Sequence, residues 1–373
     1  GSTASSGSIN LIGDSGISLA GNLVTTDTAG GAIALTGPVT LASDITVDAD
    51  ANNTSVTFNS TATVNSDSTG TKRDLTINTG AGAVAMQGII GGSVALDAIS
   101  INAATAGAGT VEVANIAGAA GAVSIGNGAT ATLTLDGTTY TSTGAQTYEA
   151  NDINITAGAD VTFTTTNTAV EFQDGAAGQI VLSDATDLTI TTSGGNITIA
   201  PTIAGTDSGG GGNTAEDITL NAAGGTVTLS NTGAAVLATE IGDVTLTGAT
   251  IALSNSITST GTNSAGNAAT IDINGAVTLN DNDITFTTGG AGIDFSSTIV
   301  SGSTTPRALT IAQGAGAVVI NGNIGGTANN DVGNITIGAT GNNGNITLSG
   351  DIGTDSVAGA AVVALGNAST GLI

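Results

Sequence analysis

Hydrophobic and polar residues alternate in short runs along most of the chain. A typical run places an aliphatic residue on each side of a threonine, as in Val39-Thr40-Leu41 and Leu188-Thr189-Ile190. This period of two puts the aliphatic side chains on one face of a strand and the threonines on the other, and β-branched residues fit such a half-buried surface. No window of helix length shows the 3.6-residue period. The pattern predicts an all-β protein built from many short strands.

The segments between the runs are rich in glycine, asparagine, serine and alanine, which are typical of turns. Several runs are preceded by an aspartate or asparagine, whose short side chain is expected to bond its own backbone and tighten the bend into the strand. These residues are Asp74, Asp187, Asn196, Asp217, Asp243, Asn334 and Asn345. Strands this short and this closely spaced fit a sandwich, a barrel or a solenoid.

An internal repeat favours the solenoid. Residues 73–92 (RDLTINTGAGAVAMQGIIGG) return 234 positions later at 307–326 (RALTIAQGAGAVVINGNIGG), and related sequence extends over about 31–103 and 269–339. The offset drifts upstream of the repeat, which indicates small insertions around a constant stack of coils. A closed barrel of these strands would leave a wide interior with nothing large to fill it. The sequence therefore predicts a parallel β-solenoid with coils of roughly 20 to 30 residues.

The predicted domain organisation is one continuous β-solenoid over residues 1–373, forming a single elongated rod. The glycine-rich segment 207–212 is expected to be a loop that bulges from one coil, and the alternative is a linker between two domains. The N-terminal sequence lacks the basic and apolar regions of a signal peptide. We therefore expect the chain to be processed or to be part of a longer protein.

Composition and charge narrow the function classes. The chain has 29 acidic and 3 basic residues, a net charge of −26, 58 glycines, and no cysteine, histidine or tryptophan. Such a surface repels phosphate backbones, so nucleic-acid binding is not expected, and no apolar stretch reaches the ~18 residues of a membrane helix. Without cysteine or histidine there is no disulfide, no thiolate metal site and no common nucleophile–base pair. A pair of carboxylates that cleaves polysaccharide stays open as a less favoured alternative.

Residues 137–155 (GTTYTSTGAQTYEANDINI) contain both tyrosines of the chain. This segment resembles the recurrent Y-x-T-x-G-x-Q-x-Y segment of filamentous-haemagglutinin-like exoproteins and large autotransporter-type surface adhesins, with Ser142 at the threonine position. The doubled R-x-L-T-I-x-x-G-A-G-A-V segment resembles repeats of the same proteins, and the likeness covers most of residues 31–350. The resemblance implies a right-handed parallel β-helix exported to a bacterial surface. The family's secretion domain and outer-membrane anchor have no counterpart here.

Four residues are candidate surface contacts. Tyr140 and Tyr148 could stack on a sugar, or they could pack against a corner of a coil, which is the favoured interpretation. Arg73 and Arg307 occupy equivalent places in the repeat and could bind an anion or a glycan. The favoured interpretation is again structural, with each arginine pairing a carboxylate of a neighbouring coil or capping carbonyls of a turn.

The sequence also contains residues that could form a calcium site or an ice-binding surface. Asp44, Asp48, Asp50, Asp281 and Asp283 could supply oxygen ligands to calcium. However, the spacing of calcium loops is missing, so solvated turn acids are expected, with no metal and no cofactor. The threonine-rich run at residues 162–168 suggests an ice-binding lattice. That function needs one T-x-T per coil of constant length, which the drifting repeat offset disfavours.

The sequence thus predicts a non-enzymatic, extracellular bacterial surface protein that serves as a stiff stalk or repeat segment of a large adhesin. Expected partners are neighbouring solenoid segments, a second copy through the sheet ends, and a glycan or protein of a host or neighbouring cell. The alternative is the subunit of a self-assembling extracellular filament or sheath, because an open sheet edge invites end-to-end stacking.

Overall fold

The chain folds into stacked coils of short parallel strands. A computed structural model describes residues 7–26, 31–104, 107, 109–174, 178–184, 186–206, 215–230, 241–263, 266–303, 305–325, 331–338, 344–353 and 362–366. The chain divides into two compact units, Gly1–Ile180 (unit 1) and Val181–Ile373 (unit 2). Among the described residues, the regular structure besides strands is one short 3-10 helix at Asp50–Asn52.

Unit 1 consists of strands two to five residues long. They are β1 (Ile9–Ile12), β2 (Ile17–Leu19), β3 (Leu23–Val24), β4 (Ile33–Thr36), β5 (Val39–Leu41), β6 (Ile45–Asp48), β7 (Val56–Phe58), β8 (Val64–Ser66), β9 (Leu75–Asn78), β10 (Val84–Met86), β11 (Ile99–Ile101), β12 (Thr110–Val113), β13 (Ile116–Ala119), β14 (Val123–Gly126), β15 (Thr132–Leu135), β16 (Thr139–Ser142), β17 (Gln146–Ala150), β18 (Asp152–Ile155), β19 (Val161–Thr165) and β20 (Val170–Asp174). The strand β21 (Gln179–Leu182) contains the boundary between the units.

The coils of unit 1 stack into three parallel sheets, to each of which a coil contributes one strand, except that the coil containing β10 contributes the single residue Ile90 to sheet B. Sheet A contains β1, β4, β7, β10, β12, β15 and β18. Sheet B contains β2, β5, β8, β13, β16 and β19, with Ile90 alone bridging β8 to β13. Sheet C contains β3, β6, β9, β11, β14, β17 and β20. Every strand pairs with its counterpart in the next coil, as expected for a solenoid.

The strands of sheet A stay in register although the coils differ in length. Successive members of one buried column lie 23, 28, 27, 22 and 20 positions apart; they are Ile33, Val56, Val84, Val111, Leu133 and Ile153. Extra residues are accommodated at the corners. The corner between β8 and β9 spans residues 67–74, whereas the preceding corner between β5 and β6 spans 42–44. The strands on both sides of the longer corner still pair residue for residue with those of the coil before.

Unit 2 has the same kind of construction. Its strands are β22 (Leu188–Thr192), β23 (Ile197–Ile199), β24 (Thr202–Gly205), β25 (Glu216–Asn221), β26 (Thr226–Leu229), β27 (Ile241–Leu253), β28 (Ile257–Ser259), β29 (Ile271–Leu279), β30 (Ile284–Thr288), β31 (Ile293–Phe295), β32 (Ile299–Ser301), β33 (Leu309–Ala312), β34 (Val318–Ile320), β35 (Ile324–Gly325), β36 (Ile335–Ile337), β37 (Ile346–Leu348), β38 (Ile352–Gly353) and β39 (Val363–Leu365).

Three parallel ladders run through unit 2. Sheet D contains β28, β30, β33, β36 and β39. Sheet E contains β22, β25, β27, β29, β31, β34 and β37, and sheet F contains β23, β26, β27, β29, β32, β35 and β38. The long strands β27 and β29 belong to two sheets because each continues around a corner, where their pairing shifts between Thr247 and Thr250.

The interior of each unit is formed by the aliphatic residues of the alternating runs. In a typical strand such as β9, Leu75 and Ile77 are fully buried while Thr76 faces outward. Outward hydroxyls then align from coil to coil in sheet C, as for Thr46, Thr76 and Ser100. The predicted parallel β-solenoid is thereby confirmed in each unit. The right-handed coiling and a single continuous rod over residues 1–373 stay predictions. The segment 207–212, for which a loop is predicted, lies outside the described residues.

The two copies of the repeat have the same local structure. In both, a glycine with positive φ lies at the corner that joins the two strands, Gly80 (+56°) between β9 and β10 and Gly314 (+60°) between β33 and β34. Two positions later, a Cβ on Gly82 or Gly316 would overlap a backbone carbonyl oxygen of the preceding coil. Glycine is therefore required here for two different reasons, a left-handed turn and the close approach of two backbones.

Candidate functional site

Aspartate side chains at one corner of unit 2 bond the backbone of the next coil. Oδ1 of Asp187 accepts a hydrogen bond from the N–H of Asp217 at 2.8 Å, and Oδ1 of Asp217 accepts one from the N–H of Asp243 at 2.6 Å. Oδ1 of Asp243 in turn accepts from the N–H of Thr270 at 2.7 Å. Three carboxylates thus form a continuous chain of bonds along the stack, which we call an Asx ladder.

The same arrangement occurs in unit 1. Asp44 accepts a hydrogen bond from the N–H of Asp74 at 3.1 Å, and Asp74 accepts one from the N–H of Ala98 at 2.9 Å. Asparagines do the same: Asn115, for example, accepts from the N–H of Thr138 at 2.8 Å. These partners are 23 to 30 positions apart, which is the length of one coil.

The prediction that these side chains bond their own backbone is wrong for most of the corner residues. The observed partners belong to the next coil because stacked strands are only about 4.8 Å apart, within reach of a short side chain at the corner. The residues with a next-coil partner are Asp74, Asp187, Asn196, Asp217, Asp243 and Asn334. The spacing of Asp187, Asp217 and Asp243 by about one coil length was the sequence signal for this arrangement.

The aspartates weighed as calcium ligands also serve the backbone and neighbouring side chains. Asp283 accepts a hydrogen bond from the N–H of Ala308 at 2.8 Å, and Asp281 accepts one from the hydroxyl of Ser254 at 2.7 Å. Asp48 accepts a hydrogen bond from the N–H of Asp50 at 3.1 Å. Slight desolvation raises the pKa of the Asp50 carboxyl, and the hydrogen bond and charge of Asp48 raise it further. The described residues contain no group of three or more acidic, histidine or cysteine side chains placed to hold a metal ion.

Both tyrosines lie in the interior of unit 1, with no exposed surface. The Tyr140 ring stacks on Phe163 with centroids 4.7 Å apart, and the Tyr148 ring stacks on Phe172 at 5.0 Å. Edge-to-face contacts of 5.1 to 6.1 Å join the two stacks. The alternative of a sugar contact by Tyr140 and Tyr148 is therefore wrong, because neither ring reaches solvent. Alternation along β16 and β17 directs both rings inward, as it does for the aliphatic residues.

A buried glutamine connects the two tyrosines. Nε2 of Gln146 is 3.0 Å from the carbonyl oxygens of Tyr140 and Thr164 and from the hydroxyl of Ser142, while its Oε1 accepts a hydrogen bond from the Tyr148 hydroxyl at 3.0 Å. The Tyr140 hydroxyl donates to the carbonyl of Val113 in the preceding coil, also at 3.0 Å.

We call Tyr140, Gln146, Tyr148, Phe163 and Phe172 together the aromatic clamp. Burial raises the pKa of both phenols well above the ordinary value, because the charged phenolate would be cut off from water. Gln146 was not predicted as a structural residue, although it belongs to the segment that carries the resemblance.

The two arginines make structural contacts. Arg73 pairs with Asp67 through two bonds, from Nε at 2.8 Å and from NH2 at 3.2 Å, and this guanidinium lowers the pKa of the Asp67 carboxyl. Arg307 donates from Nε to the carbonyl of Asn280, in the preceding coil, at 3.3 Å. Asp67 belongs to the same corner as Arg73, so the expected pairing with a neighbouring coil does not hold for Arg73.

Outward threonines form short ranks. In unit 2, Thr189, Thr219 and Thr245 align in sheet E, and the next two coils place Asp272 and Asp294 in the same rank. Varying coil length was expected to prevent such alignment of threonines. This expectation is wrong, because the strands of sheet E stay in register from coil to coil. Carboxylates interrupt this rank instead, which disfavours an ice lattice. In unit 1, Thr162 and Thr164 of the threonine-rich run pair in register with Thr139 and Thr141 of the preceding coil.

Asp272 and Asp294 lie directly opposite each other on neighbouring parallel strands. The pKa of Asp272 is raised, first because the carboxyl is partly buried and then because of the charges of Asp294 and Asp243. Two like charges in register repel each other and destabilise the pairing of strands. This pair was not singled out from the sequence, since the two residues are 22 positions apart and have no motif around them.

No family model, curated protein or solved structure matches the chain. Within the described ranges, no helix is long and apolar enough to cross a membrane.

Proposed function

We propose that this chain is a non-enzymatic, extracellular stalk or repeat segment of a large bacterial surface adhesin, with a mechanical role. The observation that carries the proposal is the use made of the corner carboxylates. Carboxylates such as those of Asp187, Asp217 and Asp243 could in general bind a metal or catalyse hydrolysis. Here Oδ1 of each one accepts a hydrogen bond from the backbone of the next coil. The polar chemistry of this corner holds coils together.

Stiffness follows from the number of bonds that cross each coil junction. A coil of unit 1 is joined to the next by backbone ladders in three sheets, by the buried aliphatic columns, and by Asx bonds at its corners. Bending or stretching such a stack requires several of these bonds to open together. A spacer that holds a binding part away from a cell surface needs this resistance.

The surface chemistry supports an extracellular spacer. A net charge of −26 with only 3 basic residues keeps a long threonine-rich surface soluble, and the absence of cysteine leaves no thiol to oxidise outside the cell. The resemblance of residues 137–155 and of the doubled repeat to surface adhesins supports the same role. The adhesive contact itself, with a glycan or protein of a host or neighbouring cell, is assigned to the corners or to other parts of the parent protein.

Negative-stain electron microscopy and small-angle X-ray scattering of the purified chain, at physiological salt, test the proposal. A stalk segment is expected to give separate, straight rods whose length is set by about 4.8 Å per coil. Long continuous filaments would replace the stalk by the self-assembling subunit. Bent or collapsed particles would contradict a stiff spacer.

A separate assay addresses the polysaccharide-cleaving alternative. The chain is incubated with acidic and neutral polysaccharides and the release of reducing ends is measured. We expect release no greater than in a sample of heat-unfolded chain. Release that depends on the folded chain would contradict the non-enzymatic role and would direct attention to pairs of neighbouring carboxylates such as Asp272 and Asp294, which lie side by side.

A further inference from the structure

We infer that the aromatic clamp is the last part of unit 1 to unfold and that it arrests the unravelling of the coils on either side. The inference rests on the fold and goes beyond the proposed function. It assigns a conformational role to Tyr140, Gln146, Tyr148, Phe163 and Phe172, which otherwise only fill the interior.

The ring contacts of the clamp run along the stack of coils as well as across it. The stack of Tyr140 on Phe163 joins β16 to β19, and the stack of Tyr148 on Phe172 joins β17 to β20. Both stacks therefore cross a coil junction. The edge-to-face contacts join sheet B to sheet C. Aromatic pairs add stability beyond the area they bury, so this junction is stronger than one made of aliphatic columns alone.

The polar contacts of the clamp extend to the coil before it and the coil after it. The Tyr140 hydroxyl bonds Val113 in the coil before, and the Gln146 amide reaches Thr164 in the coil after. The clamp therefore ties three successive coils. Gln146 and Tyr140 are fully buried, and opening either bond inside a dry interior would leave polar groups without partners.

Local stability decides the order in which stacked coils unfold. Each coil contacts only its neighbours, so a solenoid loses coils in order of local stability instead of all at once. Phe58 provides an internal comparison, because it is equally buried in β7 but contacts no other aromatic ring in the described part of the chain. Unravelling that passes through the coil of Phe58 should stop when it reaches the clamp.

Hydrogen exchange followed by mass spectrometry on the intact chain tests the inference. Peptides covering residues 132–174 are expected to exchange at least about tenfold more slowly than peptides covering 33–66. The stabilisation that one aromatic pair adds is enough to shift the equilibrium of local opening by about tenfold. Equal exchange in the two regions, or slower exchange in 33–66, would overturn the inference. The outcome is independent of whether the chain forms rods or filaments.

A matched pair of variants sharpens the test. Phe172→Leu removes one stack and one edge contact, and we expect exchange to accelerate by about tenfold or more in residues 132–174, while residues 33–66, which open before the clamp is reached, exchange at the rate of the parent chain. Phe58→Leu removes a ring of the same kind, and we expect faster exchange around residues 33–66 with 132–174 still protected. Identical exchange profiles for the two variants would overturn the inference.

A milder variant keeps the test decisive where Phe172→Leu does not fold. Tyr148→Phe retains all three ring contacts of this side chain and removes only the hydroxyl that donates to Gln146 Oε1. We expect exchange in residues 132–174 to accelerate several-fold, because a buried amide oxygen loses its donor, with exchange in residues 33–66 unchanged. Unchanged exchange in 132–174 would show that the polar half of the clamp contributes nothing.

Discussion

Oδ1 of Asp217 lies 2.6 Å from the backbone nitrogen of Asp243, one coil further along unit 2. The bond connects a side chain at one corner to the main chain of the next, and the same geometry recurs from Asp187 to Asp217. A corner residue therefore contributes to a junction between coils, although its position in the sequence suggests a local turn.

Replacing Asp217 by alanine is expected to lower the free energy of unfolding of unit 2 by roughly 1–3 kcal/mol, because the Asp243 N–H loses its acceptor. Asp217→Asn retains an oxygen at the same place and should recover most of the loss. Urea unfolding monitored by circular dichroism provides the measurement. Asp351→Ala is the control, since Asp351 is exposed and its carboxylate has no hydrogen-bond partner among the described residues. Equal losses for the two alanine variants would refute the role of the ladder.

Gly82→Ala is expected to destabilise unit 1 by about 1–3 kcal/mol, as overpacking does elsewhere. The added Cβ would overlap the carbonyl oxygen of Thr54 in the preceding coil, so the coils would have to separate locally. Gly21→Ala is the matched control because nothing lies within 4 Å of its Cβ position. Thermal unfolding compares the two variants. A melting temperature that Gly82→Ala leaves unchanged would mean that the junction can widen without cost.

Mild acidification should stabilise unit 2. The raised pKa of Asp272 means that its carboxyl binds a proton more readily in the folded than in the unfolded chain. Its contribution to stability is therefore complete below the ordinary aspartate pKa of about 3.9 and is lost as the pH rises through the folded value. Melting temperatures between pH 7 and 4 measure the effect.

Asp294→Asn isolates the contribution of the charge pair from that of the many other acids. The variant removes the repulsion across the strand pairing, so it should melt at a higher temperature than the parent chain at pH 7, and the difference should shrink toward pH 4. Asp351→Asn serves as the control, with no such pH-dependent gap expected. A gap that stays constant from pH 7 to 4 would argue against repulsion between Asp272 and Asp294.

The two tyrosines should ionise only when unit 1 unfolds. Burial raises both phenol pKa values far above the ordinary value of about 10, so the folded chain keeps its phenols neutral, and stability from this source is lost as the pH rises above 10. An alkaline titration should show tyrosinate absorbance and loss of circular dichroism in one common transition. Ordinary titration near pH 10 with an intact fold would place the rings at the surface.

Much of the fold could be predicted from the sequence because alternation is a local property. The run around Leu75 and Ile77 determines which side chains turn inward without reference to any other coil, and the repeat reveals that the coils stack. The contacts of the corners could not be predicted in the same way. A corner aspartate such as Asp74 has a partner 24 residues later, and only the alignment of coils decides which N–H lies above it.

The candidate sites illustrate the same limit. Packing of Tyr140 and Tyr148 against a corner of a coil was the preferred prediction, whereas both rings lie in the interior. Their connection through Gln146 depends on three segments meeting in space. Arg73 and Arg307 occupy equivalent repeat positions but have different partners, a carboxylate and a carbonyl, because the corresponding corner of the second copy, residues 302–308, contains no acidic residue.

The eight-residue corner between β8 and β9, which replaces a three-residue corner in the coil before without disturbing the strands, separates two kinds of evolutionary change. Duplication of coils changes the length of the chain, whereas insertion at a corner changes the exposed surface of a single coil. Neither process interferes with the other. Foreign peptides grafted between Asp67 and Arg73 should accordingly be tolerated, provided that the ion pair at the base of the corner is kept. A lineage of such proteins can diversify its surface while its scaffold stays the same.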